Sequence, residues 1–142
     1  MPKLSPRLAA IVDALPLEPG MRVLEIGGAP GTAARAVCQR IAPNGHMLVI
    51  DRSAKGIALT RHNAAEEIAA GLLTTRHVAA ENLTLLPGEA PFDLAFAIRV
   101  GTLDGRHPEA ETAALNHIRA ALHPGAHLYL DSGTPLRIHP HR

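Results

Sequence analysis

Two carboxylates and a cluster of glycines are the residues of this sequence best able to bind a ligand. The first carboxylate, Glu25, lies in the apolar run 23–26, which turns at once into the sequence Gly-Gly-Ala-Pro-Gly at positions 27–31, called here the glycine turn. Glycine accepts positive φ and lets the main chain approach a ligand closely. A hydrophobic strand that ends in such a turn and opens a helix builds a nucleotide-sized site in open α/β sheets. The pattern therefore predicts a ligand site lined by backbone atoms.

Two common phosphate-binding motifs are absent from this turn. The dinucleotide motif G-x-G-x-x-G, read from Gly27, requires glycines where the chain has Ala29 and Thr32, and no G-x-x-x-x-G-K-[ST] sequence occurs. Pro30 also removes one amide donor, which weakens the turn as a phosphate cradle. A pyrophosphate ligand and a nicotinamide-dependent oxidoreductase are therefore disfavoured. A tight turn without a ligand is the structural alternative.

The second carboxylate, Asp51, ends another apolar run, at positions 48–51. It follows the glycine turn by about 20 residues, where this architecture places an acid against ribose hydroxyls. Its structural alternative is the N-cap of a helix that begins near Ser53, and both roles are compatible.

The spacing of these residues resembles the first motif of class I S-adenosylmethionine-dependent methyltransferases, in which an acidic residue precedes three alternating glycines. Here alanine replaces the middle glycine, which narrows the space beside the cofactor. The resemblance implies that S-adenosyl-L-methionine is the cofactor and that Asp51 contacts its ribose. It also implies cofactor-binding roles for residues in and around the turn: Glu25, Gly27, Gly28, Ala29, Gly31 and Arg52.

Two later segments extend the resemblance. Ala79 stands where many members have an aspartate that contacts adenine. The main chain of Ala80 or the carboxylate of Glu81 would replace that contact, although Glu81 could equally be a solvated acid at a helix start. A Phe-Asp-Leu strand entry at positions 92–94 places Ala97 at the catalytic end of the next strand, beside the cofactor. The Asn/Asp-Pro-Pro-Tyr signature of amino-group methylation is absent, so the acceptor atom is not identified.

The resemblance implies methyl transfer to a small-molecule acceptor by in-line displacement, which requires alignment and exclusion of water and no universal catalytic residue. Asp104, His107 and Asp131 are candidate general bases, and Arg99 could orient an anionic acceptor. Each has a structural alternative: a turn at Asp104, a helix start at His107, a strand end at Asp131 and a surface salt bridge at Arg99. A catalytically silent cofactor-binding or interaction module of the same fold is the alternative function.

Alternating helical and strand patterns predict the elements that hold these residues. Ser5 and Pro6 are typical of a helix start, and the strand-like runs are continuously apolar, which favours a parallel sheet covered on both faces. Strands are predicted at 22–26, 46–50, 72–78, 92–98 and 127–130, and helices at 31–41, 53–70 and 108–122, with a short turn at 80–85. We therefore expect an α/β, doubly wound, Rossmann-like and mainly parallel five-stranded sheet with helices on both faces; the resemblance implies the strand order 3-2-1-4-5.

The chain of 142 residues is expected to form a single domain, 1–142. Class I methyltransferases usually have two more strands after the fifth, for which the sequence leaves little length. We expect residues 131–142 to fold over the edge of the fifth strand, or another subunit to cover it, because open edges are seldom left unprotected. A homodimer is the simpler proposal.

The composition disfavours several other partners. The 14 Lys and Arg against 13 Asp and Glu give a net charge of +1, and only two Phe and one Tyr are present, so no nucleic-acid partner is expected. No apolar run of ~20 residues or secretory core is found, which predicts a cytoplasmic protein without membrane contact. Cys38 is the single cysteine, which excludes an intramolecular disulfide, and the nine histidines are too scattered to predict a metal site.

Overall fold

A six-stranded sheet forms the centre of the molecule in a computed structural model, which describes residues 3–100, 103, 108–133 and 135–139. Its strands are β1 (Arg22–Ile26), β2 (His46–Asp51), β3 (Leu73–His77), β4 (Leu94–Ala97), β5 (Leu128–Leu130) and β6 (Arg137–Ile138). They lie in the order β3-β2-β1-β4-β5-β6. The first five strands run parallel, and β6 is antiparallel to β5.

Helices cover both faces of this sheet, as the apolar strands predict. They are α1 (Pro6–Ala14), α2 (Thr32–Ile41), α3 (Ala54–Asn63), α4 (Ala65–Ala69) and α5 (Pro108–Ala121), with a 3-10 turn at Ala80–Asn82. On one face, apolar side chains of α1 and α2 pack with Val23, Val49 and Phe96. On the other face, α5 and the 3-10 turn pack with Leu24 and Ile50. Because β1 and β2 are buried between these layers, their side chains read as continuous apolar runs.

The predicted order of the first five strands is confirmed, whereas the predicted strand number is wrong. The sixth strand, Arg137–Ile138, belongs to the tail that was expected to fold over the edge of β5. Its residues pair with Tyr129 and Leu130, and the His139 amide donates to the Leu128 carbonyl at 2.8 Å. A two-residue strand with both side chains exposed carries no hydrophobic periodicity, so the sequence pattern did not indicate it.

The predicted helix at 53–70 is divided into α3 and α4. The division falls at Ala64, whose φ of −103° and ψ of 24° depart from helical values. Hydrogen bonds continue across this bend, because the Ala64 amide donates to Thr60 and the Ile68 amide donates to Ala64. The bend brings the fully buried Ala64 against the sheet and turns the end of α3 toward the glycine turn.

The predicted start of α1 is confirmed by its cap. Ser5 Oγ accepts a hydrogen bond from the Leu8 amide at 3.1 Å, and Pro6 occupies the first helical position. Among the residues described, no helix is both long enough and apolar enough to cross a membrane. The single-domain expectation stays a prediction.

Candidate functional site

Three adjoining cavities open at the carboxyl edge of the sheet, where the strand order reverses between β1 and β4. The β2 cavity, of about 360 Å³, lies between Asp51, the 3-10 turn and Val100. The α2 cavity, also about 360 Å³, lies between the glycine turn, Glu25 and the start of α1. The β5 cavity, of about 340 Å³, lies beside Ala97 and the end of β5. Parallel sheets of this topology bind ligands at such a crevice.

Asp51 connects the glycine turn with the start of α3. Its Oδ2 accepts a hydrogen bond from the Ala29 amide at 3.2 Å, and its Oδ1 accepts one from the Ser53 amide at 2.9 Å. The helix cap itself is Ser53, whose Oγ accepts from the Gly56 amide at 3.0 Å, so the alternative of Asp51 as N-cap is wrong. The Asp51 carboxylate thereby fixes the turn and lines the β2 cavity.

Glu25 is a buried acid without a partner. Its side chain is 3% exposed, and its Oε1 has no hydrogen bond to any residue that the structure describes. Burial, and after it the negative charge of Asp51, raises the pKa of Glu25 well above its usual value. Such an atom is costly to leave unsatisfied. Since Glu25 lines the α2 cavity, it is placed to receive a cationic or hydrogen-bond-donating ligand group.

The glycine turn requires glycine at two positions for different reasons. Gly31 has a φ of +96° and caps α2 in the left-handed conformation, which disfavours any side chain. A Cβ on Gly28 would lie 2.8 Å from Glu25 Oε1 and 2.7 Å from Val49 Cγ1. The main chain at Gly28 therefore closes directly over the Glu25 carboxyl group.

The start of α2 adds amide donors to the same cavity. Thr32 and Ala33 line it, and the N-cap Gly31 supplies no side-chain bond to the first turn. The first amides of a helix have no intrahelical acceptor, and the helix dipole favours an anionic group near them. The α2 cavity thus presents a carboxylate and an anion-binding helix start side by side.

Three residues of α3 that the sequence analysis did not identify contact the glycine turn and hold it in place. The Asn63 side-chain amide donates to the Pro30 carbonyl at 3.1 Å, and a Cβ on Gly31 would touch Thr60 Cγ2 at 3.0 Å. Gly56 leaves room for the methyl of Ala29, since a Cβ on Gly56 would lie 2.9 Å from it. The available signal was the spacing of Gly56, Thr60 and Asn63, which places them on one helix face. The buried side chains of Thr60 and Asn63 are polar, which distinguishes this face from an apolar core stripe.

Arg52 and Glu81, both predicted to bind the cofactor, pair with each other at the β2 cavity. Arg52 Nη2 donates to both carboxylate oxygens of Glu81, at 3.0 and 2.8 Å. Glu81 lies in the first turn of the 3-10 helix with its side chain 27% exposed, so the alternative of a partly solvated acid stands, and its carboxylate is partly occupied by Arg52. Ala80 is buried and lines the same cavity. The pair links the end of β2 to the 3-10 turn.

The remaining predicted residues lie at the ends of β4 and β5. Ala97 lines the β5 cavity and is absent from the lining of the other two, although it was expected beside the cofactor. Asp131 accepts a hydrogen bond from Arg7 at 2.7 Å. Arg99 lines all three cavities. Asp104 and His107 lie outside the described residues. No group of three or more potential metal-ligating side chains occurs in the part of the chain that the structure describes.

A family profile described as "Methyltransferase domain" matches residues 23–125, which run from β1 to the turn before β5. This match covers more than half of the chain. The chain belongs to this methyltransferase family. The glycine turn, Asp51 and the 3-10 turn all fall within the matched residues, so the family region contains the β2 cavity and most of the α2 cavity.

Curated relatives match this methyltransferase-family chain over a short stretch, whereas solved structures match it over most of its length. It is 44% identical over 45 residues to a protein-L-isoaspartate O-methyltransferase of Methanothermobacter thermautotrophicus, which is 32% of this chain and 21% of that protein. In structure, it is similar to an S-adenosylmethionine-dependent methyltransferase of Geobacter sulfurreducens in complex with S-adenosyl-L-homocysteine, with a TM-score of 0.68 and 22% identity over 89% of this chain and 48% of that chain.

A [4+2]-cyclase has the same fold, with a TM-score of 0.69 and 23% identity over 87% of this chain and 42% of that chain. The methyltransferase-family chain described here therefore spans about a fifth of the curated relative and less than half of each of these solved chains. Since one fold hosts different reactions, the reaction must be argued from the site.

Proposed function

We propose that this chain is an S-adenosyl-L-methionine-dependent methyltransferase, which binds the cofactor across the β2 and α2 cavities and transfers its methyl group to a small-molecule acceptor in the β5 cavity. The observation that carries the proposal is the buried, unpartnered Oε1 of Glu25 beneath a glycine turn that Asp51 holds in place. Family membership and the fold support it.

The β2 cavity suits the adenosine part of the cofactor. Asp51 bonds two amides through separate oxygens, and each oxygen keeps a further lone pair for a ribose hydroxyl. Part of the wall of this cavity is apolar and suits a flat adenine base. It consists of Ile50, Val78 and Ala80. Ala79 leaves no carboxylate for the adenine amino group, so that contact falls to the main chain at Ala80 or to Glu81.

The α2 cavity suits the amino-acid part. Glu25 Oε1 would accept a hydrogen bond from the ammonium group, which would satisfy its buried acceptor. The first turn of α2 would bind the carboxylate group through its amides. Gly27 lines both cavities, so a ligand with adenosine in one and an amino acid in the other must pass over it.

The residues present need only align the reactants and exclude water. S-adenosylmethionine held in this way would supply an activated methyl group, which an acceptor atom would take by in-line displacement, with the S–C electron pair leaving on sulfur. Ala97 and Val100 supply apolar walls beside the expected position of the acceptor. Asp131 is bound to Arg7 and lines this cavity, so a role as general base would require that pair to open.

Calorimetric titration tests the cofactor proposal. S-adenosylmethionine and S-adenosyl-L-homocysteine should bind the full chain, while NAD should not. Asp51→Ala should raise the Kd of both ligands at least tenfold, because it removes the ribose acceptor and loosens the turn. Asp13→Ala is the matched control, since Asp13 is an exposed acid paired with Arg40 away from the cavities. Equal binding of NAD, or no loss in Asp51→Ala, would contradict the proposal.

A catalytically silent cofactor-binding module is the second candidate, favoured by Ala79, which leaves no side-chain carboxylate for the adenine contact. It predicts cofactor binding without turnover across an acceptor panel. That panel should include an isoaspartyl peptide, because the matched curated relative is named for that acceptor.

We further propose a homodimer in the cytoplasm. The outer edge of β6 exposes Ile138, which is 48% exposed, and offers backbone groups to a second copy. Light scattering at increasing concentration should give twice the monomer mass, and truncation after Leu136 should prevent this. A monomer at all concentrations would contradict the dimer.

A further inference from the structure

Arg99 has an unusual backbone conformation. Its φ is +57°, and among the described residues it is the one non-glycine residue with positive φ. This conformation is unfavourable for an L-residue, because its Cβ lies too close to the following carbonyl oxygen. Strained residues persist mainly where the surrounding structure fixes them, and they cluster at ligand sites. Arg99 follows β4 by two residues and lies where the three cavities meet.

Arg99 is also an unpartnered cation. It is exposed, and it makes no hydrogen bond or ion pair with any described residue. The other arginines that the structure describes each have a polar or ionic partner. A surface salt bridge, the structural alternative for Arg99, is therefore not formed with the described part of the chain. Its five donors remain available to a ligand.

The described lining of the β5 cavity carries more positive than negative side chains. Within that described lining, Arg99 and Arg137 are the cations and Asp131 is the acid. Asp131 is already paired with a third arginine, Arg7, at 2.7 Å. Arg137 donates from Nε to Ser132 Oγ at 2.5 Å, and no bond from its Nη groups to a described residue is present. Two guanidinium groups thus line one cavity, and neither has a carboxylate partner in the part of the chain that the structure describes.

We propose that the acceptor is a small anion, and that Arg99 and Arg137 bind its carboxylate or phosphate group in the β5 cavity. Guanidinium groups bind both kinds of anion through paired hydrogen bonds. The inference rests on the proposed function, because the β5 cavity is assigned to the acceptor by its position beside the cofactor cavities. The anionic group anchors the acceptor and leaves the choice of methylated atom open.

An NMR titration tests the anion site. The full-length chain, ¹⁵N-labelled and saturated with S-adenosyl-L-homocysteine, is titrated with inorganic phosphate and separately with succinate at constant ionic strength. Saturable shifts are expected at Arg99, Val100, Ser132 and Arg137. Arg99→Gln and Arg137→Gln should each raise the Kd at least tenfold. Arg61→Gln is the matched control, because Arg61 is an exposed arginine that bonds Thr75 at the far side of the sheet.

Two outcomes would overturn the anion site. One is an unchanged phosphate and succinate affinity in both arginine variants. The other is a loss of S-adenosyl-L-homocysteine affinity in Arg99→Gln with unchanged anion binding, which would place Arg99 in the cofactor site. The two proposals fail separately: anion binding without cofactor binding contradicts the proposed function alone, and cofactor binding without anion binding contradicts this inference alone.

Turnover gives a second readout. Acceptors are supplied in matched pairs, each a carboxylate and the corresponding carboxamide. The wild-type chain should favour the carboxylate by at least tenfold in kcat/KM, and Arg99→Gln should reduce that preference below threefold. A wild-type preference for the carboxamide would overturn the inference.

Discussion

At the scale of single residues, Glu25 links ligand binding to protons. Its pKa is raised by burial in the free protein, so protonation stabilises the folded state at low pH, and this contribution is lost as the pH rises through the raised pKa. An ammonium group on Oε1 favours the carboxylate and lowers that pKa again. Cofactor binding should therefore release a proton at a pH between the pKa of Glu25 in the free protein and its lower pKa in the complex. The affinity for the cofactor should fall as the pH falls through the pKa of the free protein, by up to about tenfold per pH unit.

Titration calorimetry in two buffers of different ionisation enthalpy measures this proton. The apparent binding enthalpy should differ between the buffers for the wild-type chain and agree for Glu25→Gln. The same variant should have a higher free energy of unfolding than wild type at pH values above the raised pKa of Glu25, where the buried charge is costly. Identical wild-type enthalpies in both buffers would show that Glu25 does not meet the ammonium group.

Substitutions at Arg99 can separate the effect of its backbone conformation from the effect of its guanidinium group. Arg99→Gly and Arg99→Ala both remove the side chain, but only glycine accepts a φ of +57° without strain. Arg99→Gly should therefore have the higher free energy of unfolding, by about 1 kcal/mol, in chemical denaturation. Equal stabilities would mean that the backbone relaxes when the side chain is lost.

The residues of the site divide by how far their partners lie along the chain. Glu25, the glycine turn and Asp51 could be predicted, because a strand-end acid and alternating glycines are local patterns. The Arg52–Glu81 pair and the α3 contacts of Asn63 could not, because they join residues 29 and 33 positions apart. The φ of Arg99 could not be predicted, because a positive φ is uncommon for a residue other than glycine and Arg99 carries no local signal for it.

At the scale of elements, α3 supports the glycine turn through a matched pair of small residues. Alanine in place of Gly56 would add helix propensity of about 1 kcal/mol, but its Cβ would meet the Ala29 methyl at 2.9 Å. Gly56→Ala should therefore destabilise the wild-type chain by about 1–3 kcal/mol. In an Ala29→Gly background, Gly56→Ala should lower the free energy of unfolding by less, or should raise it.

A double-mutant cycle in chemical denaturation gives the coupling directly. Its expected value is about 1–2 kcal/mol, because the two methyl positions are in contact. Additive effects would indicate that α3 shifts away from the turn instead. The contact also explains how the chain accommodates Ala29 in place of the middle glycine of its motif. Because Gly56 has no side chain, the methyl group of Ala29 fills space beside α3 as well as space in the cavity.

The longer strands and helices could be predicted from the sequence, whereas a bend and a short strand were missed. Strands β1 and β2 and helix α2 could be read from the sequence because each is an uninterrupted apolar or amphipathic run. The bend at Ala64 was missed, since α3 and α4 together present one continuous helical pattern. The antiparallel β6 was missed because its two residues are both exposed.

At the scale of the whole molecule, one ion pair joins the start of the chain to the end of the parallel sheet. Arg7 lies on α1 and lines the α2 cavity, while Asp131 follows β5 and lines the β5 cavity. Because Arg7 is 46% exposed, the pair should contribute less than about 1 kcal/mol to stability. An Arg7→Gln and Asp131→Asn cycle should give that coupling at 0.15 M salt and near zero at 1 M.

The exposed Arg40–Asp13 pair is the control for this cycle, because it lies outside the cavities. A coupling of several kcal/mol at either salt concentration would mean that the Arg7–Asp131 pair is a structural connection rather than a removable contact across the site.

The unpartnered carboxyl of Glu25 has a consequence for selection among the abundant adenine compounds. A nucleoside triphosphate shares the adenosine part of the proposed cofactor, and its adenosine would fit the same walls. Its phosphates would then extend over Gly27 into the α2 cavity, where they would approach Arg7 and Arg99 but offer no hydrogen to the buried Oε1 of Glu25. Glu25 would thus favour an adenosine that carries an ammonium donor over one that carries phosphates, because only the former satisfies its buried acceptor.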